Sequence, residues 1–474
     1  MRRFKLNTND KIKKIFLLFV WIISSICNLQ AQDQPKLRVQ FNNELFNPIL
    51  ICLENNQSKQ ADVLLQQVEK GNLQNQSDTT RYLYNICKGF TLFQEDNYNN
   101  ALKYFLTAKT IREESLGIVD SEYLELVRTI ANCEKYVGNA DRAVNYLQEI
   151  KAMGDFFSKF EIYGKILGDL TDLYIQKGQY ADVEQLLKQA HEIVSKFRGD
   201  GDYESYQYQV ELALFLSQKG EYEKSNQLID EIISKLEKQD NEVNNQEYHI
   251  VLLLKGANYN KMKQYDKAQQ YYTDAIKFNT DKFGKYDSFL SAKYAALLNL
   301  YCERNNEHEI DLLLPVMKDY FSHTGTELDF YGDIQNAAGI LFSNVQNIEK
   351  AKKLYNTVLD SPVLNLAEKK YGKKSEEYGG LCNLLFVSAE RTGRLDLAEQ
   401  YLNTAFVVLI PIAGKDSPVY AILLHNKGKL LLDQKKYKEA VVSLTEAIEL
   451  QKKISGNANP KTIEYLEEVK KFLK

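Results

Sequence analysis

KKYKEAVVSLTEA, residues 435–447, puts Ala440, Leu444 and Ala447 at relative offsets 0, 4 and 7, on one face of a helix. Twelve residues before Ala440 stands Gly428, inside another stretch with helical patterning, LLHNKGKLLL. A glycine within a helix costs about 1 kcal/mol relative to alanine, so its presence there implies a close helix crossing. Lys435-Lys436-Tyr437 lies between the two stretches. The segment reads as helix, tight turn, helix.

The same phrase recurs along the chain. Ala440 has counterparts at Ala101, Ala143, Val183, Ser225, Ala268, Ile310, Ala351 and Ala398, with successive intervals of 42, 40, 42, 43, 42, 41, 47 and 42 residues. Four residues after each comes a large apolar residue, such as Phe105, Leu187, Tyr272 or Leu402. Twelve before each, most residues are small: Gly89, Ala131, Thr171, Ala213, Gly256 and Gly339 join Gly428. Gly138, Gly178, Gly220 and Gly393 stand where the first helix of a unit would end in a left-handed residue, and Asn305 takes that place in another unit. Leu298 and Phe386 occupy places where small residues are expected. With the turn at 305–310 and the 47-residue interval, they mark units expected to be distorted. Ala61 and Leu65 continue the register upstream, so residues 32–79 are expected to hold a divergent tenth pair. Pro460 opens a last helix with a polar face, expected to cap the array over residues 460–474.

These residues resemble the tetratricopeptide repeat, over about residues 80–474. A period near 42 is similar to the longer repeat of kinesin light chains and their bacterial relatives, whose units are joined by Gly-containing loops like FGKYDS (283–288) and AGKDSPVY (413–420). The resemblance implies an all-α chain, a right-handed α-solenoid of antiparallel helix pairs, with about nine repeats over 80–459. It also implies a groove lined by the first helix of each unit, at the residues 15 and 11 before the repeat position. These are Arg128 and Asn132, Gly168 and Asp172, Val210 and Leu214, Leu253 and Ala257, Ala295 and Asn299, Asn336 and Ile340, Asn383 and Val387, and His425 and Lys429. Arg128 and Asn132 resemble half of a clamp that some relatives close on a peptide's C-terminal carboxylate. At the matching places of the next two units stand an acid, Asp172, and uncharged residues, which depart from that clamp.

The first 31 residues read differently. Six basic residues precede an apolar run, IFLLFVWIISSIC (15–27), which is shorter than the roughly 20 residues a bilayer span requires. This pattern predicts a cleaved export signal ending near Ala31, and so a periplasmic or cell-surface protein with no membrane span after cleavage. The remaining 54 basic and 63 acidic residues give a net charge of −9, which argues against a nucleic-acid partner. Cys52, Cys87, Cys133, Cys302 and Cys382 show neither zinc-type nor disulfide spacing, and are expected to be buried thiols.

The sequence offers no converging chemistry. His191, His249, His308, His323 and His425 fall in different units, and none has a second histidine three or four residues away. The expectation is a non-catalytic chain without cofactor or metal, binding a protein or peptide along its groove as an envelope scaffold. The alternatives are a glycan-binding surface protein and the sensor module of a signalling system.

Overall fold

The computed structural model describes residues 44–473 apart from 72, 200–201, 239–241 and 344–346. The expected export signal, residues 1–31, lies outside the described residues. The described chain is helical without strands, in two compact units that divide between Met262 and Lys263.

In the first unit the long helices are α1 (Asn47–Glu54), α2 (Ser58–Glu69), α3 (Asp78–Gln94), α4 (Tyr98–Ile111), α5 (Ser121–Tyr136) and α6 (Ala140–Ala152). They continue as α7 (Glu161–Gln176), α8 (Val183–Arg198), α9 (Tyr203–Gln218), α10 (Tyr222–Leu236) and α11 (Glu242–Lys261). The second unit contains α12 (Tyr265–Phe283), α13 (Leu290–Glu303), α14 (Glu307–Thr324), α15 (Glu327–Phe342), α16 (Ile348–Leu359) and α17 (Val363–Tyr371). It ends with α18 (Glu376–Arg391), α19 (Leu395–Ala413), α20 (Pro418–Asp433), α21 (Tyr437–Ser455) and α22 (Pro460–Phe472). Within each unit most helices pack on their neighbours in sequence, as in a stack of helix pairs.

The repeat position is the centre of each layer. All nine residues from Ala101 to Ala440, and Ala61 upstream, are 0 % exposed. The turns have one geometry as well. The residue five places before the repeat position has positive φ at Gly138, Gly178, Gly220 and Gly393, and also at Asn56, Asp96, Lys263, Asn305 and Lys435. At Gly138 the next N–H, of Asn139, donates to the carbonyl of Glu134 at 2.8 Å, and Gly138 N–H donates to Lys135 at 3.1 Å. This pair of bonds satisfies the carbonyls at the helix end. The 305–310 turn was expected to be distorted, but it has the same φ and the same bonds, Asn306 N–H to Tyr301 and Asn305 N–H to Cys302. Asparagine tolerates the left-handed conformation, so the turn does not need glycine.

Distortion appears elsewhere. Leu298 fills the crossing that a small residue fills in other units, and its counterpart Leu314 is only partly buried, with Leu313 turned inward instead. In the 47-residue interval the second helix breaks at Asp360–Pro362, giving α16 and the extra helix α17. The five cysteines among the described residues are free and buried. Burial pushes the Cys133 and Cys302 thiols up to about 12 and that of Cys382 up to about 11, away from reactivity.

Candidate functional site

The groove positions differ between the two units. In the first, most of them are filled. Arg128 is buried, and its Nε donates to Asp169 Oδ2 of α7 at 2.6 Å, so the half-clamp expected from Arg128 and Asn132 is occupied from within the chain. A side chain at Gly168 would place Cβ 2.5 Å from Tyr208 Cε1, because the Tyr208 ring of α9 occupies that space. Val210, Leu214 and Leu253 are buried too. Asn132 and Asp172 keep partial exposure. Burial, reinforced by neighbouring Asp169, pushes the Asp172 carboxyl up to about 6, with Lys135 opposing. These positions give the first unit a closed, packed face.

The second unit presents the same positions open. Ala295, Asn299, Ile340, Asn383, Val387, His425 and Lys429 are partly exposed and Asn336 is exposed. Asn336 Nδ2 donates to Asn299 Oδ1 at 3.0 Å, joining α15 to α13. Asn426 Nδ2 donates to Asn383 Oδ1 at 2.8 Å, joining α20 to α18. An amide carries two donor hydrogens and an acceptor oxygen, so each bridge uses one donor and one acceptor; Asn299, Asn336 and Asn383 keep their remaining groups at the surface, whereas Asn426 is buried. Next to Asn336, one turn earlier on α15, Asp333 has a buried Oδ2 without a hydrogen-bond partner. Burial, with Asp329 adding repulsion, pushes its carboxyl up to about 8.

The far end of this face is polar and tied to the last helix. His425 Nδ1 shares a 2.8 Å hydrogen bond with Thr462 Oγ1 of α22, and burial, with the charge of Lys429, lowers the imidazole's basicity. Lys429 Nζ lies 2.6 Å from Glu390 Oε1. Burial and Glu390 together push Asp433 up to about 6. The seven candidates read from the sequence thus separate. Arg128 is consumed inside the first unit, where Asn132 and Asp172 flank a filled face. Asn299 and Asn336 meet directly, and His425 and Lys429 lie one turn apart on α20. Asn426 was missed because it stands one residue past its expected register, and Asp333 because it precedes the positions considered. Asparagines at the groove offsets of three successive units, Asn299, Asn336 and Asn383, were the available signal.

Models of the tetratricopeptide repeat match residues 387–453 and 250–282. Over these residues the chain carries tetratricopeptide repeats. No curated protein matches its sequence. Among solved structures, the apo form of RapI is 13% identical, with 78% of this chain and 97% of that chain covered and a TM-score of 0.51. The apo form of the quorum sensor NprR from B. thuringiensis is 13% identical over 85% of this chain and 97% of that one, with a TM-score of 0.42. Kinesin-light-chain TPR-like repeats from Podosopora anserina are 16% identical over 43% and 97% of the two chains, with a TM-score of 0.38. At 13% identity the likeness to RapI is one of fold. Among the described residues no helix is long and apolar enough to cross a membrane, and no three His, Cys, Asp or Glu side chains form a group that would hold a metal ion.

Proposed function

We propose that this tetratricopeptide protein binds an extended peptide along the open face of its second unit, as the sensor module of a signalling system rather than as a scaffold for folded partners. The observation that carries this reading is the pair of asparagine bridges, Asn299–Asn336 and Asn383–Asn426. A carboxamide offers a donor and an acceptor side by side, as does the backbone of an extended chain, whose N–H and C=O groups need partners when they leave water. Folded partners keep most of their backbone groups within their own helices and sheets. Ile340 and Val387 flank the asparagines and supply apolar contact for alternate side chains of the peptide. In this reading the chain does no chemistry of its own, and the basic, apolar leader sends it to the periplasm or the cell surface.

The test is selection of peptides from a random library on the immobilised protein, followed by titration against Asn336→Ala and Asn383→Ala. Each substitution should weaken the selected peptides by about 1–2 kcal/mol, the scale of a hydrogen-bonding group lost from a site. Peptides that bind both variants as tightly as the wild type would sink the proposal. Export has its own check. Trp21 is the only tryptophan, so the secreted form should show tyrosine emission alone. Finding Trp21 in protein taken from the envelope would refute cleavage.

A further inference from the structure

A second surface is formed by α19, α20 and α21 of the last two repeats. Phe406, Val407, Ile410, Tyr420, Leu424 and Val442 line an open cleft of about 400 Å³. Val407 is 74 % exposed and Val442 66 %, which is unusual for apolar side chains standing together on one face. Its floor is ordered: the Phe406 and Tyr420 rings meet edge to face, 6.1 Å apart.

The rim is charged in a way that selects the occupant. Lys415 and Lys427 both line the cleft, and Lys427 Nζ lies 6.0 Å from the centre of the Phe406 ring. Neither lysine has a carboxylate partner among the described residues. The rim's one acid, Glu446, is engaged by the Tyr420 hydroxyl at 3.1 Å. Apolar floor and free cations together fit a segment with apolar side chains between acidic ones. The alternatives fit less well. The chain's own first 14 residues carry six basic residues and one acid, which the lysines repel. A two-fold contact between copies would bring Lys415 and Lys427 towards their own counterparts.

We propose that this cleft is a docking site for an acidic amphipathic helix of another protein, with Val407 and Phe406 as apolar anchors and Lys415 and Lys427 as the charge selectors. The cleft shares α20 with the asparagine-lined face but is lined by none of its asparagines, and its partner would be held while that face binds peptide.

Fluorescence anisotropy with two labelled synthetic helices tests it. Each has about 14 residues with leucine and phenylalanine on one face; one is flanked by glutamates, the other by lysines. The glutamate helix should bind the full chain at least about tenfold more tightly than the lysine helix. Val407→Asp should weaken it by about tenfold or more, and because Val407 is 74 % exposed the substitution leaves the core intact. Lys415→Glu with Lys427→Glu should reverse the preference between the two helices. Asn336→Ala should change neither. Equal binding of both helices, or binding indifferent to Val407→Asp, would overturn the proposal. So would sedimentation showing a dimer that Val407→Asp dissolves, which would make the occupant a second copy of the chain.

Discussion

A Cβ atom built on Gly428 would stand 2.4 Å from Cγ of Leu444, closer than any side chain tolerates. The two residues come from the first and second helices of one repeat, and the missing side chain of one makes room for the branch of the other. Gly89 and Phe105 repeat the relationship nearer the start of the chain, at 2.6 Å. The glycine's cost within the helix is therefore offset by a helix crossing that buries Leu444 and Phe105 completely.

Gly428→Ala should accordingly destabilise the second unit by about 1–3 kcal/mol through overpacking. Gly339→Ala makes the control, because its Cβ meets nothing nearer than Tyr355 Oη at 3.7 Å. It should be neutral or stabilising by up to about 1 kcal/mol. Urea titration gives the magnitudes. Hydrogen exchange should rise mainly in α20 and its neighbours, and a uniform rise over the whole chain would contradict a stack stabilised by nearest neighbours.

The turns yield an opposite prediction. Lys435 has a φ of 61°, in the left-handed region where its Cβ is strained and where glycine stands in four sister turns. Lys435→Gly should stabilise by about 0.5–1 kcal/mol, the relieved strain less the entropy of a freer unfolded chain. A melting temperature unchanged or lowered would show that the Lys435 side chain contributes more than its backbone costs.

Lys293 is 1 % exposed, held by the carbonyl of Phe289 at 2.7 Å and Asn279 Oδ1 at 3.2 Å. Burial pushes its ammonium down to about 7, although Asp287 opposes the shift. Unfolded chains hold this proton up to about 10.4, so between those values the unfolded state binds more protons and stability rises with pH. Lys293→Met removes that slope. It should stabilise the chain most below pH 7, by about 1–3 kcal/mol, and progressively less towards pH 10. Denaturant midpoints at pH 6 and pH 9.5 measure it.

Asp333 works in the other direction. With its carboxyl at about 8 in the folded chain and about 3.9 when unfolded, the folded state binds more protons between those values. Its contribution to stability is complete below pH 4 and is lost as pH rises through 8. Asp333→Asn should flatten this decline and raise stability at pH 8.5 by about 1–2 kcal/mol. An unchanged pH profile would mean that the carboxyl is solvated in solution.

The helical pairs, their period and their turns were legible because they rest on local chemistry. Ala440, Leu444 and Ala447 share a face through helical geometry alone, and a left-handed residue five places before Ala440 is demanded by the backbone of the turn. Nothing about neighbouring repeats was needed to read them. The openness of the groove was decided between repeats. Gly168 stands at a groove position by its register, yet the Tyr208 ring, forty residues later, takes up its space; Arg128 is likewise spent on Asp169 in the next repeat. A register says which way a side chain points, whereas its exposure depends on the volume and charge of what the next layer sets against it. Hence Asn299 and Asn336 could be named from the sequence, but only the tertiary packing leaves them facing solvent while Arg128, at an equivalent position, is closed off.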